Sequence, residues 1–277
     1  MSIQRILVPF DGSNHSEAAT RYAFEIAKEL NAEIEGLGMV DVGPIERIQR
    51  GANVGGFAFA EGARKSMLAR AEGHAAEFQH DFLEQCKQHS VAYDYRFEVA
   101  DPIARIAARS FFADLVVMGM RTDFDPETEN ESCDKLRKAM TATPRPFLAV
   151  PIHHRETKRA LVALDFDATC SRLLFGLAQA NPFPRAEFTL LHVGGDEAAI
   201  RPRLVDAAEY LDTHQFKTVV RTEKGEPKEV VPRLVEQEDF DLAVVGGASG
   251  SRLAEFLFGG VTRRLLDKAT CPLLTIH

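Results

Sequence analysis

The chain repeats itself, and a repeat constrains the fold more than any local pattern does. "RILVPFDGS" (5–13) resembles "RALVALDFD" (159–167), and "ADPIARIAA" (100–108) resembles "GEPKEVVPR" (225–233). "DLVVMG" (114–119) resembles "DLAVVGG" (241–247), and "RPFLAVP" (145–151) resembles "CPLLTIH" (271–277). The order is the same in both halves. The shift between copies is 154 from Asp11 to Asp165 and 153 from Val40 to Val193. It is 125 from Pro102 to Pro227 and 126 from Pro146 to Pro272. The first copy therefore holds about 28 extra residues between Val40 and Pro102. That interval contains the Gly-rich stretch "GPIERIQRGANVGGFAFAEG" (43–62), which reads as a long loop inserted before a helix. The halves join at the polar stretch "HHRETK" (153–158). The expected organisation is a domain over 1–152, a solvated linker over 153–158 and a second domain over 159–277. His153 and His154 belong to that linker and have no third metal ligand nearby in the sequence.

Each copy alternates strand and helix patterns. "RILVPF" and "RALVAL" are short apolar runs of the kind buried on both faces of a sheet. Between 14 and 30, Ala19, Tyr22, Ala23, Ile26, Ala27 and Leu30 follow a helical spacing, with Ser13 or Asn14 as N-cap. "NAEIEGLGMVDV" reads as a second strand, followed by a helix with Leu68, Ala71, Ala75, Phe78, Phe82 and Cys86 on one stripe. "YDYRFEV" is a third strand. Asp101 then caps a helix whose first position is Pro102, where a missing N–H costs little. "DLVVMG" and "PFLAV" complete five strands. The fold class is α/β: two tandem doubly wound domains, each an open five-strand parallel sheet with helices on both faces. Ligands of such sheets bind beyond the carboxyl ends of the strands, where the strand order reverses.

Composition narrows the partners. A formal net charge of -8 disfavours nucleic acid and anionic membrane. No run approaches the roughly 20 apolar residues of a membrane span. The apolar run in "MSIQRILVPFDGS" is too short for a signal-peptide core, so the expected compartment is the cytoplasm. Cys86, Cys133, Cys170 and Cys271 are scattered without a CxxC pair, and are expected to be reduced and mostly buried.

Two features sit at the predicted strand ends. Asp11 and Asp165 each close the first strand of a copy. A carboxylate there accepts hydrogen bonds from an adenine amine or a ribose, or helps bind Mg²⁺; a cap or turn residue is the plainer alternative. After "DLAVV", Gly246, Gly247 and Gly250 allow tight backbone turns, and Gly259 and Gly260 precede the helix "VTRRLLDKA". The N–H groups at its start favour an anion. Turns around a short connecting helix would use the same glycines.

This layout resembles the universal stress protein family in its tandem form, over nearly the full length. The marks are the opening strand with its terminal Asp in each copy, "GEP" before the third helix of copy two, and "VVGGASGSRLAEFLFGGVTRRLLDKATCPLLTI" at the end. Nucleotide-binding members of that family carry Gly-x2-Gly-x9-Gly-(Ser/Thr) at this place. The resemblance implies an adenine-nucleotide alpha-hydrolase-like fold, two domains paired about a pseudo-twofold axis, and ATP as ligand, with Mg²⁺ in some members. It implies base-end contacts at Ala163, Asp165 and the backbone of Val193. For the phosphates, Gly246 takes the first glycine place, Ser249 the second and Gly259 the third, while Gly260 replaces the hydroxyl residue. Alternatively Gly247 and Gly250 fill the first pair with a shortened spacer. Val261 and Thr262 follow, and Thr262 offers a substitute hydroxyl.

In copy one, Pro9, Asp11 and Val40 match the base-end positions, but Gly119 is followed by "MRTDFDPETENESCDKL" without a glycine. Asp123, Asp125, Glu127, Glu129 and Glu131 would repel a triphosphate. They read as a solvated acidic loop rather than a calcium loop, which needs a glycine turn. The expected function is a stress-response regulator that binds ATP in its C-terminal domain. The alternative is a dimerisation or protein-interaction module of the same family without nucleotide. The expected partners are an adenine nucleotide, the other half of the same chain as a pseudo-dimer, and a second chain in a homodimer. No P-loop, SGGxDS-type loop or catalytic triad spacing is present, so no catalytic residue is nominated.

Overall fold

The computed structural model describes residues 3–41, 57–124, 133–167, 170–246, 260–268 and 270–276, and for part of one long helix the backbone alone. In the first half the order is β1 (Arg5–Phe10), α1 (Asn14–Leu30), β2 (Glu33–Asp41), α2 (Phe57–His89), β3 (Tyr93–Ala100), α3 (Pro102–Ser110), β4 (Leu115–Gly119), α4 (Asp134–Ala142) and β5 (Phe147–Val150). In the second half it is β6 (Arg159–Ala163), α5 (Cys170–Gln179), β7 (Glu187–Val193), α6 (Glu197–Asp212), β8 (Lys217–Glu223), α7 (Pro227–Gln237), β9 (Leu242–Gly246), α8 (Gly260–Lys268) and β10 (Leu273–Ile276).

The ten strands form one sheet in the order β3-β2-β1-β4-β5-β10-β9-β6-β7-β8. Within each half every pairing is parallel. The halves join through β5 and β10, which pair antiparallel, Leu148 opposite Leu274. A twofold relation between two parallel sheets requires that reversal, because it turns one set of strands end for end.

Alternation along each strand builds two apolar layers. Ile6, Val8, Leu148, Val162 and Leu274 face one layer, and Leu7, Phe147, Leu161 and Leu273 the other. Both layers run across the join. A matching device locks each central strand at its start. Asp114 Oδ2 accepts from the Gln4 and Arg5 N–H groups at 2.8 and 3.0 Å, and Asp241 Oδ2 accepts from Lys158 and Arg159 at 3.0 and 2.9 Å.

The predicted caps are in place. Ser13 Oγ accepts from the Ser16 N–H at 3.3 Å, and Asp101 Oδ1 from Ile103 and Ala104 at 2.9 and 3.1 Å. One expectation needs correction. Helix α2 begins at Phe57, so the end of the segment read as a loop is helical; residues 42–56 lie outside the described part. Of the stripe on α2, Phe82 and Cys86 are buried in the core, and the other four side chains lie outside the described set. The 153–158 stretch is tied to both halves. Its Arg155 pairs with Asp239 and Asp241 at 2.9 and 2.8 Å and donates its N–H to Tyr22 Oη at 3.0 Å. The His154 ring lies tilted against Tyr22, centroids 4.4 Å apart, with Nε2 2.9 Å from Glu25. All four cysteines are free and buried.

Candidate functional site

The strand order reverses between β6 and β9, and a cavity of about 200 Å³ opens there at the carboxyl ends of the strands. Ala163, Asp165, Val193, Gly246, Val261 and Thr262, all singled out from the sequence, line it together. Gly260 begins α8 beside them. Gly247, Ser249, Gly250 and Gly259 lie outside the described residues. Sequence reasoning missed Leu191 and His192 on β7, Val245 on β9, Pro227 and Val231 on α7, and Cys170 and Leu173 on α5. Strand alternation pointed to Leu191 as the same-face neighbour of Val193, but the helical walls come from packing alone.

The base end is built by β6 and β7. Leu191 C=O accepts from the Leu164 N–H at 2.8 Å. By the alternation of a parallel ladder, the N–H and C=O of Val193 turn to the same side, past the end of β6. Asp165 stands at the mouth and accepts from the Asp167 N–H at 3.2 Å. Desolvation, then the charge of Asp167, pushes its carboxyl above the ordinary carboxylate range. Phe166 follows with φ 58°, where its counterpart Gly12 has φ 83°. The same turn thus demands a left-handed residue in both halves, and only the second uses a bulky one, which costs about 1–3 kcal/mol. Arg203 holds it there: its guanidinium lies 4.5 Å from the Phe166 ring centroid, and Nη2 donates to Phe166 C=O at 3.2 Å. The His192 ring lies 5.9 Å away, with Nδ1 2.8 Å from Leu164 C=O, which requires the proton on Nδ1.

The opposite end is the start of α8. A Cβ added at Gly260 would stand 3.1 Å from Lys228 Cβ, so the exposed Lys228 stem runs alongside the helix start. Thr262 is buried one half-turn on.

The first half departs from what its sequence suggests. Asp11 is engaged by its own chain: Oδ1 accepts from the Ser13 N–H, and Oδ2 from Asp123 and Phe124, each at 3.0 Å. Asp123 is not a solvated acid; it is buried and pairs with Lys135 at 3.0 Å. Residues 125–132 lie outside the described part. Gly119 is a packing glycine: a Cβ there would stand 2.3 Å from His15 C=O. The register also moves one residue. Glu33 N–H donates to Gln4 C=O and Glu187 N–H to Lys158 C=O, each at 2.8 Å, a shift of 154. Pro9 still corresponds to Ala163, opposite Leu37 and Leu191 respectively, but the counterpart of Val193 is Met39 rather than Val40.

The model of the universal stress protein family matches residues 2–124 and 194–277. The chain belongs to that family. Universal stress protein Slr1230 of Synechocystis sp. is 23% identical over 292 residues, spanning 99% of this chain and all of the relative. A universal stress protein of Archaeoglobus fulgidus has the same fold at TM-score 0.73 and 17% identity, covering 98% of this chain and 95% of its own. A putative universal stress protein of Pseudomonas aeruginosa superposes at TM-score 0.67 and 16% identity, covering 99% and 93%. This universal stress protein is therefore of the tandem type. Asp165 and Val193 fall between the matched stretches, and their correspondence rests on the equivalence of β6 and β7 with β1 and β2. Among the described residues, no helix is long and apolar enough to cross a membrane.

Proposed function

We propose that the cavity at the β6, β7 and β9 ends binds an adenine nucleotide, ATP, and that the chain is a stress-response regulator working through that ligand. One observation carries this: Asp165, the backbone face of Val193 and the start of α8 converge on a single cavity. The first two suit the hydrogen-bonding edges of a base and ribose, and a helix start suits phosphate. Among the described residues no group of His, Cys, Asp or Glu is arranged to hold a metal by itself, so Mg²⁺ would arrive on the phosphates. In this reading the functional units are 1–152 and 159–277 with 153–158 between them. The β5–β10 pairing makes the chain its own dimer.

Binding of ligand to the folded state raises stability by RT ln(1 + [L]/Kd). A saturable rise in Tm with MgATP is expected, and mass spectrometry of the denatured native protein should release an adenine nucleotide. A flat melt up to millimolar MgATP would overturn the reading. Gly260, which lacks the hydroxyl, favours the second reading, an interaction module without nucleotide. That reading expects the flat melt together with normal stability.

A further inference from the structure

The first half repeats the strand ends that build this cavity, and Phe124 lies across them. Leu37, Met39, Ile106, Met118 and Leu136 stand where the second half has Leu191, Val193, Val231, Val245 and Thr262. In the second half those residues wall the cavity; in the first they lie in the apolar layer that holds Phe124 and runs on into the second half. Phe124 is 0% exposed. Its backbone bridges the two strand ends, donating N–H to Asp11 Oδ2 at 3.0 Å and accepting from the Asp41 N–H at 3.2 Å. Its φ of 61° is one a bulky residue adopts only where its surroundings over-determine it. Lys135, at the place of Val261, closes the arrangement. It pairs with Asp41 at 2.7 Å and Asp123 at 3.0 Å and donates to Asp123 C=O. Burial opposes its charge, but the two carboxylates outweigh that and raise its pKa.

We propose that Thr122–Phe124 is an internal ligand, the resident occupant of a second base site. The phenyl ring fills the slot of a flat heterocyclic base. The Asp123 and Phe124 N–H groups satisfy Asp11 as a base amine or a ribose hydroxyl would. A vacated slot takes a nucleoside such as adenosine rather than a nucleotide, because Asp134 stands where Gly260 stands and repels phosphate. The identity of the slot rests on the second-half cavity being a base site.

The test counts adenosine bound to the full chain by isothermal titration calorimetry, in the parent and in a D123G/F124G variant. The variant should bind one more adenosine than the parent, whether the parent binds one or none. A parent that binds none sinks the second-half reading; the increment alone decides the internal ligand. A variant that melts cooperatively and binds no more than its parent overturns the proposal. Should the variant not fold, Lys135→Ala answers by hydrogen exchange. Millimolar adenosine should accelerate exchange of the Asp123 and Phe124 amides at least tenfold in K135A, by displacing the segment. Unchanged exchange there overturns it equally.

Discussion

Gly260→Ser tests the phosphate end of the site with a gain rather than a loss. Gly260 opens α8 with ordinary backbone geometry, so a side chain is conformationally allowed. The new Cβ would stand 3.1 Å from Lys228 Cβ, 3.6 Å from Cδ and 3.9 Å from Cγ. Only the first is short, by a few tenths of an ångström, and the exposed Lys228 stem has room to give. Losing a glycine also stabilises through the unfolded chain by about 0.4–1 kcal/mol, so Tm should move little. The hydroxyl offers one hydrogen bond to a phosphate oxygen, worth about 1 kcal/mol at a partly hydrated site, or roughly fivefold in affinity. Calorimetric titration with ATP and with adenosine separates the effects. ATP should tighten about fivefold, and adenosine, lacking phosphate, should not change. An equal change for both ligands, or no ATP gain in a variant that melts like its parent, refutes the placement of phosphate at the start of α8.

Asp165→Asn should raise Tm at pH 7 and weaken adenosine binding. The folded carboxyl has a raised pKa, so its ionised form opposes folding; that penalty is full above the folded pKa and absent below the unfolded one. The Tm gain of D165N should therefore shrink as pH falls through the carboxylate range, and a gain that persists in acid contradicts it. Glu35 is 1% exposed and receives Arg109 Nε and Nη2 at 2.6 and 2.8 Å. Glu35→Ala leaves that guanidinium without its bidentate partner and should cost about 3–5 kcal/mol by urea denaturation. A double E35L/R109L chain should recover much of that loss, and equal damage in both variants would argue against a charge origin. Gly119→Ala forces a methyl group onto His15 C=O and should cost about 1–3 kcal/mol in the same assay without abolishing adenosine binding.

Much of the fold was legible because its signals are local. The caps at Ser13 and Asp101 and the apolar strand runs need only neighbouring residues. The repeat then fixed that whatever β1 to β5 build, β6 to β10 build again. The same logic located Asp165 and Val193 at a common strand end. It slipped by one at Val40, because β2 is buried on both faces from Ile34 to Met39, so no in-and-out alternation marks its register in the sequence. Phe124 was hidden for a related reason: an aromatic residue within an acidic stretch looks exposed until one sees which strand ends it bridges.

The sequence by itself determined two copies of an α/β unit, their element order, and carboxylates at the end of each first strand. Only the tertiary structure decided that the copies fuse through β5 and β10, that Lys135 pairs with both Asp41 and Asp123, and that Asp11 is satisfied by the chain while Asp165 faces a cavity. The division has a physical cause. Periodicity and capping act over a few residues and are written in neighbours. Whether a polar group meets a ligand or its own chain depends on contacts more than a hundred residues apart, which no local pattern encodes.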